Sequence, residues 1–201
     1  MGLKENLAAQ FPDKYWNHFH ADFMHNFFDL HMPRTEEYDN LLRKELAGKK
    51  VLEVGGFPGL MVSWLLDMKC DVTTIESPDW FPDWYREWAE SKKYPHHVHN
   101  IIDGIPPVDG RWDWITISDV LIHMDGIPTD FLMWAVKHSD RVLLSHYPGK
   151  NYVNKAVSGT LRRTWDMPTT SNLEAMMLTC GAKMVERLVT NDREILIFGK
   201  I

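Results

Sequence analysis

Val51-Leu52-Glu53-Val54-Gly55-Gly56-Phe57-Pro58-Gly59-Leu60 reads as a short strand that runs into a glycine-rich turn and then into a helix. The helix shows itself in Leu60, Met61, Trp64, Leu65 and Met68, which share one face at steps of three and four. Glycines in such a turn let the backbone approach a ligand closely, and the following helix presents the positive end of its dipole. Two familiar loops are excluded by spacing. A G-x-G-x-x-G fingerprint begun at Gly55 needs glycine at positions that hold Phe57 and Leu60. A G-x-x-x-x-G-K-[ST] loop at Gly149-Lys150 fails on both sides, with Leu144 before it and Asn151 after it. An ordinary strand-to-helix turn remains the other reading of Gly55 to Gly59.

Outward from this turn the chain alternates short apolar runs with helical patterns. Runs at Val51 to Val54, Val72 to Ile75, His97 to Ile101, Trp114 to Ile117 and Arg141 to Ser145 predict five strands. Helical spacing between them, as in Phe131 to Val136, predicts a parallel sheet covered by helices. Before the turn, Trp16, Phe19, Phe23, Phe27 and Leu30 form one helical series. Tyr38, Leu41, Leu42 and Leu46 form another after Pro33, so two N-terminal helices are expected, closed by Gly48. Late in the chain, after Thr169, Ser171-x-x-Glu174 predicts a helix with Leu173, Met176, Met177 and Cys180 on its core face and Gly181 as its stop. Met184 to Val189 and Glu194 to Phe198, joined by Thr190-Asn191-Asp192-Arg193, predict a closing antiparallel hairpin.

A chain of 201 residues, 44% hydrophobic and 25% charged, suits one globular domain with a sizeable core. It contains no apolar run of eighteen residues, and Met1-Gly2-Leu3-Lys4-Glu5-Asn6 lacks an apolar signal core. Asn6 also breaks the myristoylation pattern, so no membrane partner and a cytoplasmic location are expected. Cys70 and Cys180 are too few for a cysteine zinc site and suit reduced thiols. A net charge of -6 provides no broad basic face, so a nucleic-acid partner is not expected. His18, His20, His25 and His31 crowd the N-terminal helices without an i,i+4 pair or a supporting carboxylate pattern, which favours solvated or packing histidines and no metal. Trp80, Trp84 and Trp88 recur every four residues and read as core packing, or as cover for a flat ligand beside Glu76.

Four ordered segments together resemble the class I S-adenosylmethionine-dependent methyltransferases. Glu53-x-Gly55-x-x-x-Gly59 is similar to the family's acidic residue and G-x-G-x-G, with Phe57 at the middle glycine. Glu76 ends the second strand run, where the family's carboxylate accepts both ribose hydroxyls of the cofactor. Asn100-Ile101-Ile102-Asp103-Gly104-Ile105-Pro106 resembles the segment that holds the adenine, with Asn100 and Asp103 both candidates for that contact. Trp112 to Met124, with Ser118-Asp119 within it, resembles the fourth strand and its continuation. The resemblance implies an α/β fold of three layers, a Rossmann-like seven-stranded sheet of order 3-2-1-4-5-7-6 whose last strand is antiparallel. It further implies one methyltransferase domain over 1-201, with an N-terminal helical cap over 1-48, a cofactor-binding core over 49-201 and an acceptor-side insertion over 149-170. S-adenosyl-L-methionine is the implied cofactor, bound by Glu53, Gly55, Phe57, Gly59, Glu76, Asn100, Ile101 and Asp119. Motifs of the DNA-amine and cytosine-5 branches are missing: Ser118-Asp119-Val120 stands at the place of the first, and neither cysteine follows a proline.

Methyl transfer from a sulfonium is an in-line displacement that depends mainly on holding the acceptor ~3 Å from the methyl carbon with water excluded. A base is needed only where the acceptor carries a proton, and histidine is the residue suited to neutral pH. His146, after the fifth strand run, and His123, after the fourth, are the candidate catalytic residues. The insertion carries Lys150, Lys155, Arg162 and Arg163 against Asp166, an excess of three positive charges (4 − 1), within a chain that is acidic overall. Tyr147, Lys150, Arg162, Arg163 and Trp165 are therefore expected to bind a small acceptor, with an anionic one favoured; a solvated loop is the other reading. The expected reaction is methyl transfer to O or N of a small molecule. A cofactor-binding module without turnover, acting as sensor or scaffold, and an RNA methyltransferase are the alternatives.

Overall fold

The computed structural model describes residues 2–13, 16, 21–80, 82–121, 127–146, 152–153, 164–165, 169–190 and 193–201. For residues 21–23, 27, 30, 80, 146, 152–153 and 164–165 it describes the backbone alone. The chain divides into two compact units, Met1–His99 and Asn100–Ile201.

In the first unit the elements are α1 (Leu3–Ala8), α2 (Ala21–Leu46), β1 (Lys50–Val54), α3 (Leu60–Asp67), β2 (Asp71–Glu76), α4 (Asp83–Lys92) and β3 (His96–Val98), with a 3-10 turn at Pro78–Trp80. β1 and β2 are parallel, with Val54 opposite Ile75, and β2 and β3 are parallel, with Glu76 opposite Val98. Val51 to Val54 and Val72 to Glu76 are buried without alternation, as befits parallel strands covered on both faces. Val62, Trp64 and Leu65 of α3 pack inward, and Trp64 Nε1 donates to Asp39 of α2 at 2.7 Å. Arg43 of α2 bridges Asp39 and Asp67, which ties the end of α2 to the end of α3. Cys70 is buried with its thiol directed at Leu46 O.

The expected break at Pro33 does not occur, because α2 runs unbroken from Ala21 to Leu46 with Pro33 inside it. A proline inside a helix costs about 3 kcal/mol through a lost hydrogen bond and a ring clash. Phe28 and Met32 before Pro33, and Tyr38, Leu42 and Leu46 after it, are all buried, so tertiary burial outweighs that cost. A shorter helix, α1, lies ahead of the expected series.

The second unit begins with a 3-10 turn at Ile101–Asp103 and continues through β4 (Trp112–Ser118), α5 (Thr129–His138), β5 (Ser139–His146), β6 (Tyr152–Val153), β7 (Thr164–Trp165), α6 (Thr170–Thr179), β8 (Ala182–Val189) and β9 (Glu194–Lys200). β4 and β5 are parallel, with Ser118 opposite Ser145. β9 is antiparallel to both β5 and β8, so the expected closing hairpin is present, with a bulge between Met184 and Glu186. β6 and β7 form a separate two-stranded ribbon inside the 149-170 insertion. The helix expected at Ser171 starts earlier: Thr169 is its cap, its hydroxyl accepting from Asn172 N at 3.2 Å. Leu173 and Met177 of α6 are buried, whereas Met176 and Cys180 are half-buried, and Gly181 takes a φ of +87° just past the end.

The seven-stranded sheet has the order β3-β2-β1-β4-β5-β9-β8. Counting sheet strands alone, this is 3-2-1-4-5-7-6 with an antiparallel last strand, as expected. No helix among the described residues is long and apolar enough to cross a membrane.

Candidate active site

The glycine turn connects β1 to α3. Gly55 has a φ of +73°, a left-handed conformation suited to glycine, and its N–H donates to Ile75 O at 2.8 Å, which fastens the turn to β2. Gly59 caps α3 with a φ of +102°, and its carbonyl accepts from Ser63 N. A Cβ on Gly56 would lie 2.6 Å from Val62 Cγ2 and 3.0 Å from Glu76 Oε1; one on Gly59 would lie 2.9 Å from the Trp88 ring and 3.0 Å from Phe11. The close approach that glycine permits at these two positions is thus made by the chain's own side chains. Glu53, opposite Thr74 in the β1–β2 register, is fully buried.

Glu76 ends β2 against this turn. One carboxylate oxygen, Oε2, accepts from Phe57 N at 3.3 Å, and the other, Oε1, accepts from the Tyr85 hydroxyl at 3.1 Å. With 1% of its surface exposed, the side chain is enclosed. Burial pushes its pKa up to about 8, against the opposing hydrogen bonds from Tyr85, the Phe57 and Gly56 backbone and Thr74. The titratable groups around it are Tyr85 and Tyr94, both held above the ordinary tyrosine range, chiefly by burial. Phe57 is half-buried, with its ring centroid 5.6 Å from that of Trp84 and 5.3 Å from that of Tyr85. In the expected tryptophan series, Trp88 is fully buried and Trp84 half-buried. Trp80 lies in the 3-10 turn ahead of α4, not on the same helix.

In the second unit, Asn100 precedes the 3-10 turn and its side chain accepts from Ile102 N at 3.4 Å; Ile101 is buried and Asp103 exposed. Asp119 follows β4 with a φ of +61°. Both of its oxygens accept from Arg193 Nη1 at 2.6 Å, and Ser145 Oγ donates to Oδ1 at 3.3 Å. Arg193 is fully buried while the Asp119 side chain is 21% exposed, so the pair is an inward-facing ion pair at the ends of β4, β5 and β9. Beside it, Glu194 accepts from Thr170 Oγ1 and Arg187 Nη2, each at 2.5 Å.

The structure therefore brings Gly55, Phe57, Gly59 and Glu76 together in the first unit, with Glu53 on the strand that leads into the turn. His146 ends β5, but its side chain lies outside the described residues. His123, Tyr147, Lys150, Arg162 and Arg163 also lie outside them, and Trp165 is described only as the backbone of β7. Sequence reasoning missed Tyr85, Phe11 and Arg193. Tyr85 and Trp88 stand at i and i+3 on α4, a spacing that pairs them on one face more closely than the tryptophans alone suggest. Arg193 read as an ordinary turn residue, and no local pattern marked it as buried.

No family model and no curated protein matches the sequence. Solved structures do match in three dimensions. Magnesium protoporphyrin IX methyltransferase from Synechocystis PCC 6803, solved with S-adenosylhomocysteine (SAH), aligns at 16% identity and a TM-score of 0.66, over 96% of this chain and 94% of that one. The CcbJ methyltransferase from Streptomyces caelestis aligns at 13% identity and 0.64, over 84% and 90%. The pyocyanin biosynthetic protein PhzM aligns at 12% identity and 0.67, over 94% of this chain and 61% of that one. The fold is that of the class I S-adenosylmethionine-dependent methyltransferases. Within the methyltransferase fold the strand order places the glycine turn and Glu76 at the carboxyl ends of neighbouring strands, β1 and β2, where open α/β sheets take ligands.

The residues present fit a nucleoside cofactor at this turn. A carboxylate has about four acceptor positions, two on each oxygen. The Tyr85 hydroxyl and the Phe57 N–H take one on each oxygen, and the Gly56 backbone and Thr74 also act on the carboxyl, so a vicinal diol would bind by displacing part of this set. The enclosure of Glu76 means that the side chains around it must yield for a diol to reach it.

Proposed function

We propose that the protein is an S-adenosylmethionine-dependent methyltransferase of small molecules and that residues 1–201 act as one methyltransferase domain. The observation that carries this is the joint placement of Glu76 and the glycine turn, with Phe57 N–H on the carboxylate, at the ends of β1 and β2. Bound S-adenosylmethionine would supply an activated methyl group. Glu76 would take the ribose hydroxyls, Gly55 the close backbone approach, and Asn100 and Ile101 the adenine side. Asp119, already engaged by Arg193, would act by fixing the end of β4.

The acceptor reading is methyl transfer to O or N, with His146 as the base where the acceptor carries a proton and His123 near the cofactor. Lys150, Arg162 and Arg163, with Tyr147 and Trp165, would hold a small anionic body, supported by the excess of positive charge between Gly149 and Thr170. Methyl transfer assayed across carboxylates, phosphates, amines and a small RNA, with wild type beside Arg162→Ala and Arg163→Ala, tests this. Turnover on anionic acceptors with a raised KM in both variants is expected. Preference for cationic or neutral acceptors, or unchanged KM, would refute the acceptor class, and SAH binding without turnover on any of them would favour the non-catalytic module.

A further inference from the structure

We infer that the N-terminal segment positions Glu76 through a stack of three buried rings, Phe11, Trp88 and Tyr85; the inference rests on the cofactor reading above. Gln10 and Phe11 follow α1 and lie on the glycine turn side of α3. Gln10 Nε2 donates to Ser63 O at 2.9 Å, and Trp88 Nε1 donates to Gln10 O at 3.2 Å. The Phe11 ring lies flat on Trp88, with centroids 4.7 Å apart and planes 6° apart. Trp88 stacks on Tyr85 at 5.5 Å and 17°, and the Tyr85 hydroxyl donates to Glu76 Oε1. The stack thus runs unbroken from the N-terminal segment to the carboxylate.

Its two ends bracket the glycine turn. Phe11 and Trp88 crowd the space beside Gly59, and the Tyr85 hydroxyl lies 3.2 Å from where a Cβ on Gly56 would stand. All three rings are at most 3% exposed. Phe11 borders a cavity of about 560 Å³ with Lys4, Trp16 and Phe28 on its outer side, and on its inner side the close ring-to-ring contacts carry displacement to Trp88 and Tyr85. When Phe11 is seated, Tyr85 has one place for its hydroxyl, and Glu76 is aimed by it. When Phe11 leaves, Trp88 and Tyr85 lose the surface that fixes them. Docking of residues 2–13 and binding at Glu76 are therefore one coupled equilibrium, and by reciprocity each strengthens the other. Phe11 is a positioning residue, acting through Tyr85 rather than on the cofactor.

The test is SAH titration into the full chain by calorimetry, for wild type, Phe11→Ala, Tyr85→Phe and the double variant. The same four proteins are also unfolded in urea without SAH, Phe11→Trp is titrated beside them, and Phe11→Leu replaces Phe11→Ala if that variant does not fold. Phe11→Ala should weaken SAH about tenfold, Phe11→Trp should restore most of the affinity, and the double variant should bind no more weakly than the worse single one. A Phe11→Ala affinity within twofold of wild type, or losses that multiply in the double variant, would overturn the inference, since a purely structural ring would lower only the unfolding midpoint. Failure of wild type to bind SAH would instead remove the cofactor reading. The urea cycle would then decide alone: multiplicative unfolding constants overturn the stack, and a coupling of about tenfold sustains it.

Discussion

Replacing Glu76 by Gln keeps the shape of the side chain and removes its ionisation. With its pKa held up to about 8 by burial, the carboxyl of the ligand-free protein is neutral for most molecules at pH 7. A group with that pKa is ionised to about 1% at pH 6, about 10% at pH 7 and about half at pH 8. The ionised form is the better acceptor for two hydroxyls, through charge-assisted hydrogen bonds. SAH affinity should therefore rise about tenfold from pH 6 to 7 and about 50-fold from pH 6 to 8, or ~2.3 kcal/mol, with up to one proton released on binding. Glu76→Gln should bind SAH about 1.5–3 kcal/mol more weakly at pH 8 and show no such slope.

The stability effect runs the other way. Between the ordinary carboxyl pKa of 4.5 and about 8, the folded protein keeps a proton that the unfolded chain releases. The contribution of Glu76 to stability is thus full below pH 4.5 and is lost as pH rises through about 8, so Glu76→Gln should equal or exceed wild type in stability at pH 8. Calorimetry in two buffers of different ionisation enthalpy, with urea unfolding at each pH, measures both. Wild-type SAH affinity that is flat from pH 6 to 8.5, or a parallel slope in Glu76→Gln, would show that ionisation of Glu76 is not coupled to binding.

Gly56→Ala should lose about 1–3 kcal/mol in urea unfolding because its methyl group would meet Val62 at 2.6 Å. Gly59→Ala should lose more, since backbone strain at a φ of +102° adds to contact with Trp88; equal losses would contradict this ordering. Arg193→Met leaves Asp119 without its cation and should cost about 2–4 kcal/mol, discounted for the partial hydration of Asp119. Arg193→Lys should recover part of the loss, because a single nitrogen, Nη1, makes both contacts, and no recovery would show that the guanidinium plane matters. His146→Ala should lower turnover roughly 10²-fold on a protonated acceptor while leaving SAH affinity unchanged, and His123→Ala should disturb both; full activity of His146→Ala would mean that positioning alone suffices.

Most of the sheet was legible because β1, β2, β4, β5 and β9 carry apolar runs; β3 is only His96-His97-Val98, and the run expected to reach Ile101 ends in a 3-10 turn. The 3-2-1-4-5-7-6 order came from the resemblance, supported by the short Thr190 to Arg193 link that makes the last two strands a hairpin. Pro33 misled because local propensity was outweighed by burial of Phe28, Met32 and Tyr38, which no local rule contains. Ser171 misled because Thr169 offers the same hydroxyl two residues earlier. In the site, Glu76 and the glycine turn were visible as a motif. Tyr85, Phe11 and Arg193 were not, because each acts through a partner that only the tertiary fold brings near. Tyr85 reaches Glu76 from another element, Phe11 lies on Trp88, and Arg193 meets Asp119 across 74 residues of chain.

This turn and Glu76 are expected to bind an S-adenosyl cofactor. Titration of the wild-type protein at pH 8 with SAH, and in parallel with a nicotinamide dinucleotide, tests it most directly. Saturable SAH binding with a raised melting temperature, weakened in Glu76→Ala, and no binding of the dinucleotide are expected. Tight binding of the dinucleotide with none of SAH would contradict that expectation.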